Sequence, residues 1–302
     1  MVAGCCFWLA FGVHTGSMTA IVGLNYSDGV MMMADTEEYL GGDAKSTTDK
    51  LHRFVFPIGM NAGTVITGGS GDAHLIECAN QEMHQFFVGY WRDRTGLPKP
   101  DEMLECLSSF ASKFFCETME AYHGAATEVV PLMDLLIAVN WAQRSYLFCW
   151  KQNRVLWISP PKHAIGSGIV QLHPMLRDIE FSGTKESMFF HGIRLMYYTK
   201  RAVLGVGGRT EAIALLNTGE SHFFGTEAAQ QAEELAKNLD EFISKIIYQD
   251  VSNIAPDVKD LDENVKKSID DLPRSLEMYR EAYRKILGSQ LKGRDQCETT
   301  EL

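Results

Sequence analysis

The chain has 302 residues, 45% of them hydrophobic and 22% charged, a composition able to bury one large core or two smaller ones. Its formal net charge of -11 argues against nucleic-acid and anionic-membrane partners, which reward clustered Lys and Arg, and leaves small molecules, peptides and copies of itself. The seven cysteines are odd in number, scattered and without metal-ligand spacing, so they read as reduced packing residues of a cytoplasmic protein. No phosphate-binding glycine loop precedes a Lys-Ser/Thr pair and the histidines are dispersed, so no cofactor or metal is expected.

Residues 1–18 carry an apolar stretch with no Lys or Arg before it and no small-x-small site, which does not fit a signal peptide, and no run reaches the ~20 apolar residues of a membrane span. They read as a short propeptide or as translated sequence upstream of a start at Met18. The second is favoured because Thr19 follows. A threonine hydroxyl is a poor nucleophile without a base, and a threonine at a chain terminus carries one in its own α-amine. That amine has an unperturbed pKa of about 7.7–8.0, so much of it is neutral near pH 7.

Downstream, Ala20 to Tyr26 and Val30 to Ala34 read as paired strands around Ser27-Asp28-Gly29, a strong hairpin signal. A polar loop surrounds Gly41-Gly42-Asp43. Leu51 to Phe56 and Thr64 to Thr67 read as strands, the second ended by Gly68-Gly69-Ser70-Gly71. Asp72 is placed to cap a helix to about Tyr90 with Leu75, Cys78, Ala79, Met83, Phe86 and Phe87 on one face. A second helix follows Pro100-Asp101, with Leu104, Leu107, Phe110 and Phe114 inward. Leu135 to Trp141 and Tyr146 to Trp150 form a second hairpin, followed by a strand near Val155 to Ile158. Gly166-Ser167-Gly168 opens a third helix, residues 185–203 form a fourth, and Glu211 to Leu216 with Ser221 to Phe224 are strands. Two antiparallel sheets face to face, each covered outside by helices, bury all these faces at once: an α+β, four-layer αββα sandwich.

Residues 19–225 are expected to form this domain and residues 226–302 a charged, helical C-terminal extension. Glu227 to Ile247 has an apolar stripe through Ala232, Leu235, Leu239, Phe242 and Ile246, and Pro273 to Leu287 offers a further helix. The extension reads either as a docking arm or as a helix folded back on its own domain.

Several short motifs in order carry a family resemblance. Thr19-Ala20-Ile21-Val22-Gly23-Leu24, Asp28-Gly29-Val30, Ala34-Asp35, Thr48-Asp49-Lys50-Leu51, Gly68 through Asp72, and Ala164-Ile165-Gly166-Ser167-Gly168 resemble segments of proteasome β-type subunits, which are N-terminal nucleophile hydrolases. The resemblance implies a threonine-type peptidase with Thr19 as nucleophile. It implies Lys50 beside Thr19 as an electrostatic activator, Asp35 as the partner of Lys50, the Gly68 N–H as oxyanion donor and Ser167 near the terminal amine. Tyr39 and Ile66 are implied to line the substrate channel and its first pocket. Peptide or unfolded-protein substrates, a homo-oligomeric ring or other proteasome-like subunits, as in bacterial-type relatives, and an ATPase unfoldase are the implied partners.

The chain also departs from the family pattern. Met18 stands where self-cleaving members have glycine, and Arg201-Ala202-Val203-Leu204-Gly205-Val206-Gly207-Gly208 lacks the aspartate and serine that usually orient the terminal threonine. A catalytically silent structural or binding subunit is the alternative these departures leave open.

Overall fold

The computed structural model describes residues 19–39, 45–58, 61–92, 99–124, 132–141, 143–158, 162–178 and 184–252. Along the chain come β1 (Ile21–Tyr26), β2 (Gly29–Asp35), β3 (Glu37–Tyr39), β4 (Lys45–Thr47), β5 (Leu51–Ile58), β6 (Asn61–Gly71), α1 (Ala73–Trp91) and α2 (Pro100–Gly124). Then follow β7 (Met133–Trp141), β8 (Arg144–Lys151), β9 (Arg154–Trp157), β10 (Lys162–Ile165), α3 (Ile169–Asp178), α4 (Lys185–Ala202), β11 (Thr210–Leu216), β12 (Ser221–Phe224) and α5 (Thr226–Ser252). The strands make two five-stranded antiparallel sheets, β10-β1-β2-β11-β12 and β5-β6-β7-β8-β9, and β3 pairs with β4 in a separate ribbon.

Side-chain alternation explains the packing. In β2, Val30, Met32 and Ala34 face the second sheet, where they join Leu136, Ala138 and Leu147, while Met31 and Met33 point the other way, onto Phe189, Ile193 and Met196 of α4. Both faces are therefore buried, and the strand reads as an unbroken apolar run. The outer face of the second sheet, with Leu135, Ile137 and Val139, is covered by Met83 and Phe87 of α1 and Leu107 and Phe110 of α2. Asp72 caps α1 as the sequence implies, its side chain accepting from the Leu75 N–H at 2.9 Å.

Two details differ from the sequence reading, and a third decides between its alternatives. Gly68-Gly69-Ser70-Gly71 does not end β6, because Gly68 to Gly71 stay in register with Leu136 to Met133 of β7. The glycines here serve close packing: a Cβ at Gly69 would lie 2.5 Å from Ile76 Cγ2 and 2.9 Å from Leu135 Cδ2. β10 has four residues and the β3 and β4 strands three each, too short for a period to register. The first turns of α5 fold back on the domain: Ala228, Ala229 and Ala232 are buried with α4 residues, Lys200 pairs with Glu233 at 2.6 Å and Tyr198 donates to Asp240 at 2.8 Å. The expected helix at Pro273 to Leu287 lies outside the described residues. Among those described, no helix is long and apolar enough to cross a membrane.

The inter-sheet layer is the part of the core with no helix to relax into it. Leu136→Ala should therefore cost about 2–5 kcal/mol in denaturant unfolding. Leu156→Ala on β9, where the side chain is 52% exposed, should stay within about 0.5 kcal/mol.

Candidate active site

The ends of β1, β2 and β5 meet the turn between β10 and α3 around Thr19. Lys50, the residue before β5, donates from Nζ to Thr19 Oγ1 at 2.9 Å, to Asp35 Oδ1 at 3.0 Å and to the Glu37 carbonyl at 2.5 Å. An ammonium carries three N–H donors, so these acceptors suit the charged form. Thr19, Asp35 and Lys50 are all buried.

Asp35 is held by both sheet and loop. Its Oδ1 also accepts the Ala20 N–H at 2.8 Å, and its Oδ2 accepts the Gly207 N–H at 3.2 Å. Burial pushes the carboxyl above its ordinary value, while the Lys50 charge and the Ala20 and Gly207 N–H groups pull it back. An ionised carboxylate accepts all of these donors at once, and that is the form the geometry favours. The end of α4 and the segment after it lack acidic and hydroxyl side chains at Ala202 and Gly205, yet the main chain there reaches the site: besides Gly207, the Arg209 N–H donates to Thr36 Oγ1 at 2.9 Å.

On the other side of Thr19, its N–H donates to Ser167 Oγ at 3.0 Å, and the Ser167 hydroxyl lies 3.2 Å from the Thr19 carbonyl. The Gly168 N–H donates to the same carbonyl at 3.1 Å. This close approach needs glycine at 166, whose φ is +87° and where a Cβ would sit 2.2 Å from the Thr19 oxygen. Thr19 is thus gripped at its amide, carbonyl and hydroxyl.

The remaining sequence-derived positions divide. Gly68 lies in β6 opposite Leu51, packed so tightly that a Cβ would be 2.9 Å from Ile21 Cγ2 and from Leu51 Cδ2. Ile66 is completely buried between the sheets with Ile21 and Val30, so it packs the core and does not line a channel. The alternation of β6 turns it inward. Tyr39 ends β3 opposite Lys45, and its side chain lies outside the described residues. A cleft of about 180 Å³ opens beside Lys50, bordered by Asp49, His52, Gly69, Ile76 and Glu77. Among the described residues no group of three or more His, Cys, Asp or Glu is placed to hold a metal ion.

One residue at the site escaped the sequence reading. Glu211 Oε2 accepts the Lys50 N–H at 2.9 Å and the Leu51 N–H at 3.2 Å. The period of β11 contained the signal: Glu211 shares a face with Ile213 and Leu215, both inter-sheet core residues, and a carboxyl on such a face needs a reason. Burial first, then a hydrogen bond with Asp49, push its pKa from 4.5 to about 8, against the pull of the Lys50 and Leu51 N–H groups.

Comparisons with known proteins bear on the fold. No protein-family model and no curated protein matches the chain. Among solved structures, it is similar to Anbu (ancestral beta-subunit) from Yersinia bercovieri, with a TM-score of 0.60 and 17% identity over 76% of this chain and 97% of that one. The helical assembly of the Anbu complex from Pseudomonas aeruginosa gives a TM-score of 0.62 and 15% identity over 76% and 96% of the two chains. Anbu from Hyphomicrobium sp. strain MC1 gives 0.57 and 14% over 79% and 99%. At these identities the likeness is one of fold.

Two outcomes follow from the buried charges. Asp35→Ala strands the Lys50 ammonium without its carboxylate and should cost about 3–5 kcal/mol of stability in denaturant unfolding. Between pH 4.5 and about 8 the folded protein keeps the Glu211 proton that the unfolded chain has released. The unfolded state then binds fewer protons, so this group's contribution to stability declines as pH rises through the window. The melting temperature of wild type relative to Glu211→Gln should fall between about pH 5 and about pH 8; a pH-independent difference would contradict the assignment.

Proposed function

We propose that this protein is a threonine-type hydrolase of peptide bonds, with Thr19 as the nucleophile once its α-amine is the chain terminus. The observation that carries the proposal is the 2.9 Å contact between Lys50 Nζ and Thr19 Oγ1 inside a buried Asp35–Lys50 pair. An ammonium donating to a hydroxyl favours the alkoxide over the alcohol, and so lowers the cost of removing the hydroxyl proton. Because Lys50 is a donor in this contact, it is not the base, and the Thr19 α-amine takes that role.

In this mechanism Thr19 Oγ attacks the substrate carbonyl carbon while its proton passes to the α-amine. The Gly68 N–H receives the developing oxyanion. The protonated amine then gives its proton to the departing amine, leaving an ester on Thr19 that water hydrolyses. Ser167 Oγ, 3.0 Å from the Thr19 nitrogen, orients that amine. The cleft beside Lys50 receives a side chain of an extended peptide, and an ATPase unfoldase is a fitting source of such peptides.

The stacking of helices α1 and α2, two sheets, and helices α3 and α4 is read here as the four-layer αββα sandwich of proteasome-like hydrolases, with residues 19–225 as its domain. Self-association belongs to the same reading, since the Pseudomonas aeruginosa Anbu is described as a helical assembly. A mass by light scattering that matches one chain at working concentration would contradict it.

A second reading, a catalytically silent proteasome-like structural or binding subunit, draws on the complete burial of Thr19 together with Ala202 at the end of α4 and Gly205 beyond it. Intact mass and covalent labelling separate the two. The catalytic reading requires a mature chain that begins at Thr19 and takes up one equivalent of a β-lactone or epoxyketone probe. Thr19→Ala should abolish uptake, and Lys50→Ala should slow it by at least about 100-fold. Uptake by Thr19→Ala equal to wild type would remove Thr19 as the nucleophile.

A further inference from the structure

Glu211 takes no part in the hydroxyl, amine and ammonium chemistry proposed for Thr19, yet it touches the chain at Lys50. The β5–β6 register begins with Leu51 opposite Gly68, so Lys50 lies just outside that ladder. Its amide is taken instead by Glu211 Oε2 at 2.9 Å, and the same oxygen takes the Leu51 amide at 3.2 Å. The carboxyl belongs to β11 of one sheet and the amides to the start of β5 in the other, so a single side chain ties the two sheets together at this point.

The same stretch of chain serves both partners of the ion pair. Gly207 donates its N–H to Asp35 Oδ2, Thr210 lies opposite Asp35 in register, and Glu211 holds Lys50. A lysine stem of four carbons is flexible, and where its ammonium sits depends on where its main chain is fixed. We propose that Glu211 is a positioning residue: by holding the Lys50 and Leu51 amides it sets the main chain from which the Lys50 ammonium reaches Thr19 Oγ1 and Asp35. The consequence for reaction rate rests on Thr19 being the nucleophile; the placement of Lys50 does not.

Chemistry adds a condition. The Asp49 carboxyl beside Glu211 adds to the effect of burial in holding the Glu211 proton on. The groups that act on Glu211 are the Asp49 carboxyl and the main-chain N–H groups of Lys50 and Leu51, and across the β11–β2 register it stands opposite the apolar Ala34. Loss of the Glu211 proton sets its carboxylate against the Asp49 side chain next to Lys50 and loosens the hold. Glutamine at 211 reproduces the protonated form, since its carbonyl oxygen accepts the amides and its NH₂ donates to Asp49.

The test compares Glu211→Gln and Glu211→Ala in the full chain, by crystal structure, by hydrogen exchange at the Lys50 and Leu51 amides, and by β-lactone acylation. In Glu211→Gln the amides should stay protected, Lys50 Nζ should stay on Thr19 Oγ1, and acylation should stay within about threefold of wild type, with the ratio to wild type rising above about pH 8. In Glu211→Ala the amides should exchange faster and Nζ should leave Thr19 Oγ1. Its maximal acylation rate should then drop about 10- to 100-fold with probe affinity little changed. A wild type that takes up no probe while Glu211→Ala still displaces Lys50 would overturn the nucleophile and uphold the positioning role. Lys50 unmoved in Glu211→Ala, or Glu211→Gln falling as far as Glu211→Ala, would overturn the positioning role.

Discussion

An ammonium group buried 2.9 Å from a threonine hydroxyl is the constraint around which this structure is arranged. Taking a lysine charge out of water costs several kcal/mol unless a counter-charge and further acceptors replace the lost hydration. Asp35 supplies the charge and the Glu37 carbonyl a further acceptor. Asp35 in turn needs donors for its remaining lone pairs, and these are the Ala20 and Gly207 amides. The entry to β1, the end of β2, the start of β5 and the approach to β11 are therefore tied to one another through a single cation.

This dependence explains why the fold brings distant segments together. Thr19 and Ser167 are far apart in sequence, yet β10 pairs with β1 so that Ile165 stands opposite Ile21, which sets the 166–168 turn directly on Thr19. The second sheet contributes Lys50 from its edge strand, and the tight glycine packing at positions 68 and 69 lets that sheet approach β1 and α1 closely. Ala202 and Gly205 offer no acidic or hydroxyl side chain, and the chain that follows them supplies main-chain donors instead, through Gly207 to Asp35 and Arg209 to Thr36. They do not reach the Thr19 nitrogen, for which Ser167 Oγ is the described partner.

Much of this was legible from residues alone. Asp28-Gly29 between apolar runs signalled the β1–β2 hairpin, Asp72 the start of α1, and the motifs around Asp35, Lys50 and Ser167 named side chains that the fold does bring to Thr19. Local signals failed where tertiary packing decided the outcome. Four small residues at the end of β6 look like a turn, but the strand continues through them, and Gly68 and Gly69 are small because Ile21, Leu51, Ile76 and Leu135 press on it. The family resemblance implies Ile66 at the substrate channel or pocket, but its place in β6 turns it into the inter-sheet core. A single glutamate in a strand, such as Glu211, carries no motif; its meaning emerges only when strand periodicity puts it among Ile213 and Leu215 and next to the Lys50 amide.

The central claim is that the hydroxyl held by Lys50 is the atom that reacts. A crystal structure of the protein after exposure to a β-lactone tests this directly. The arrangement described here predicts continuous density from Thr19 Oγ into the opened lactone, with the Thr19 amine free and Lys50 Nζ still within hydrogen-bonding distance of the ester oxygen. An unmodified Thr19 in a chain that begins at that residue, or an adduct on any other side chain, would contradict it.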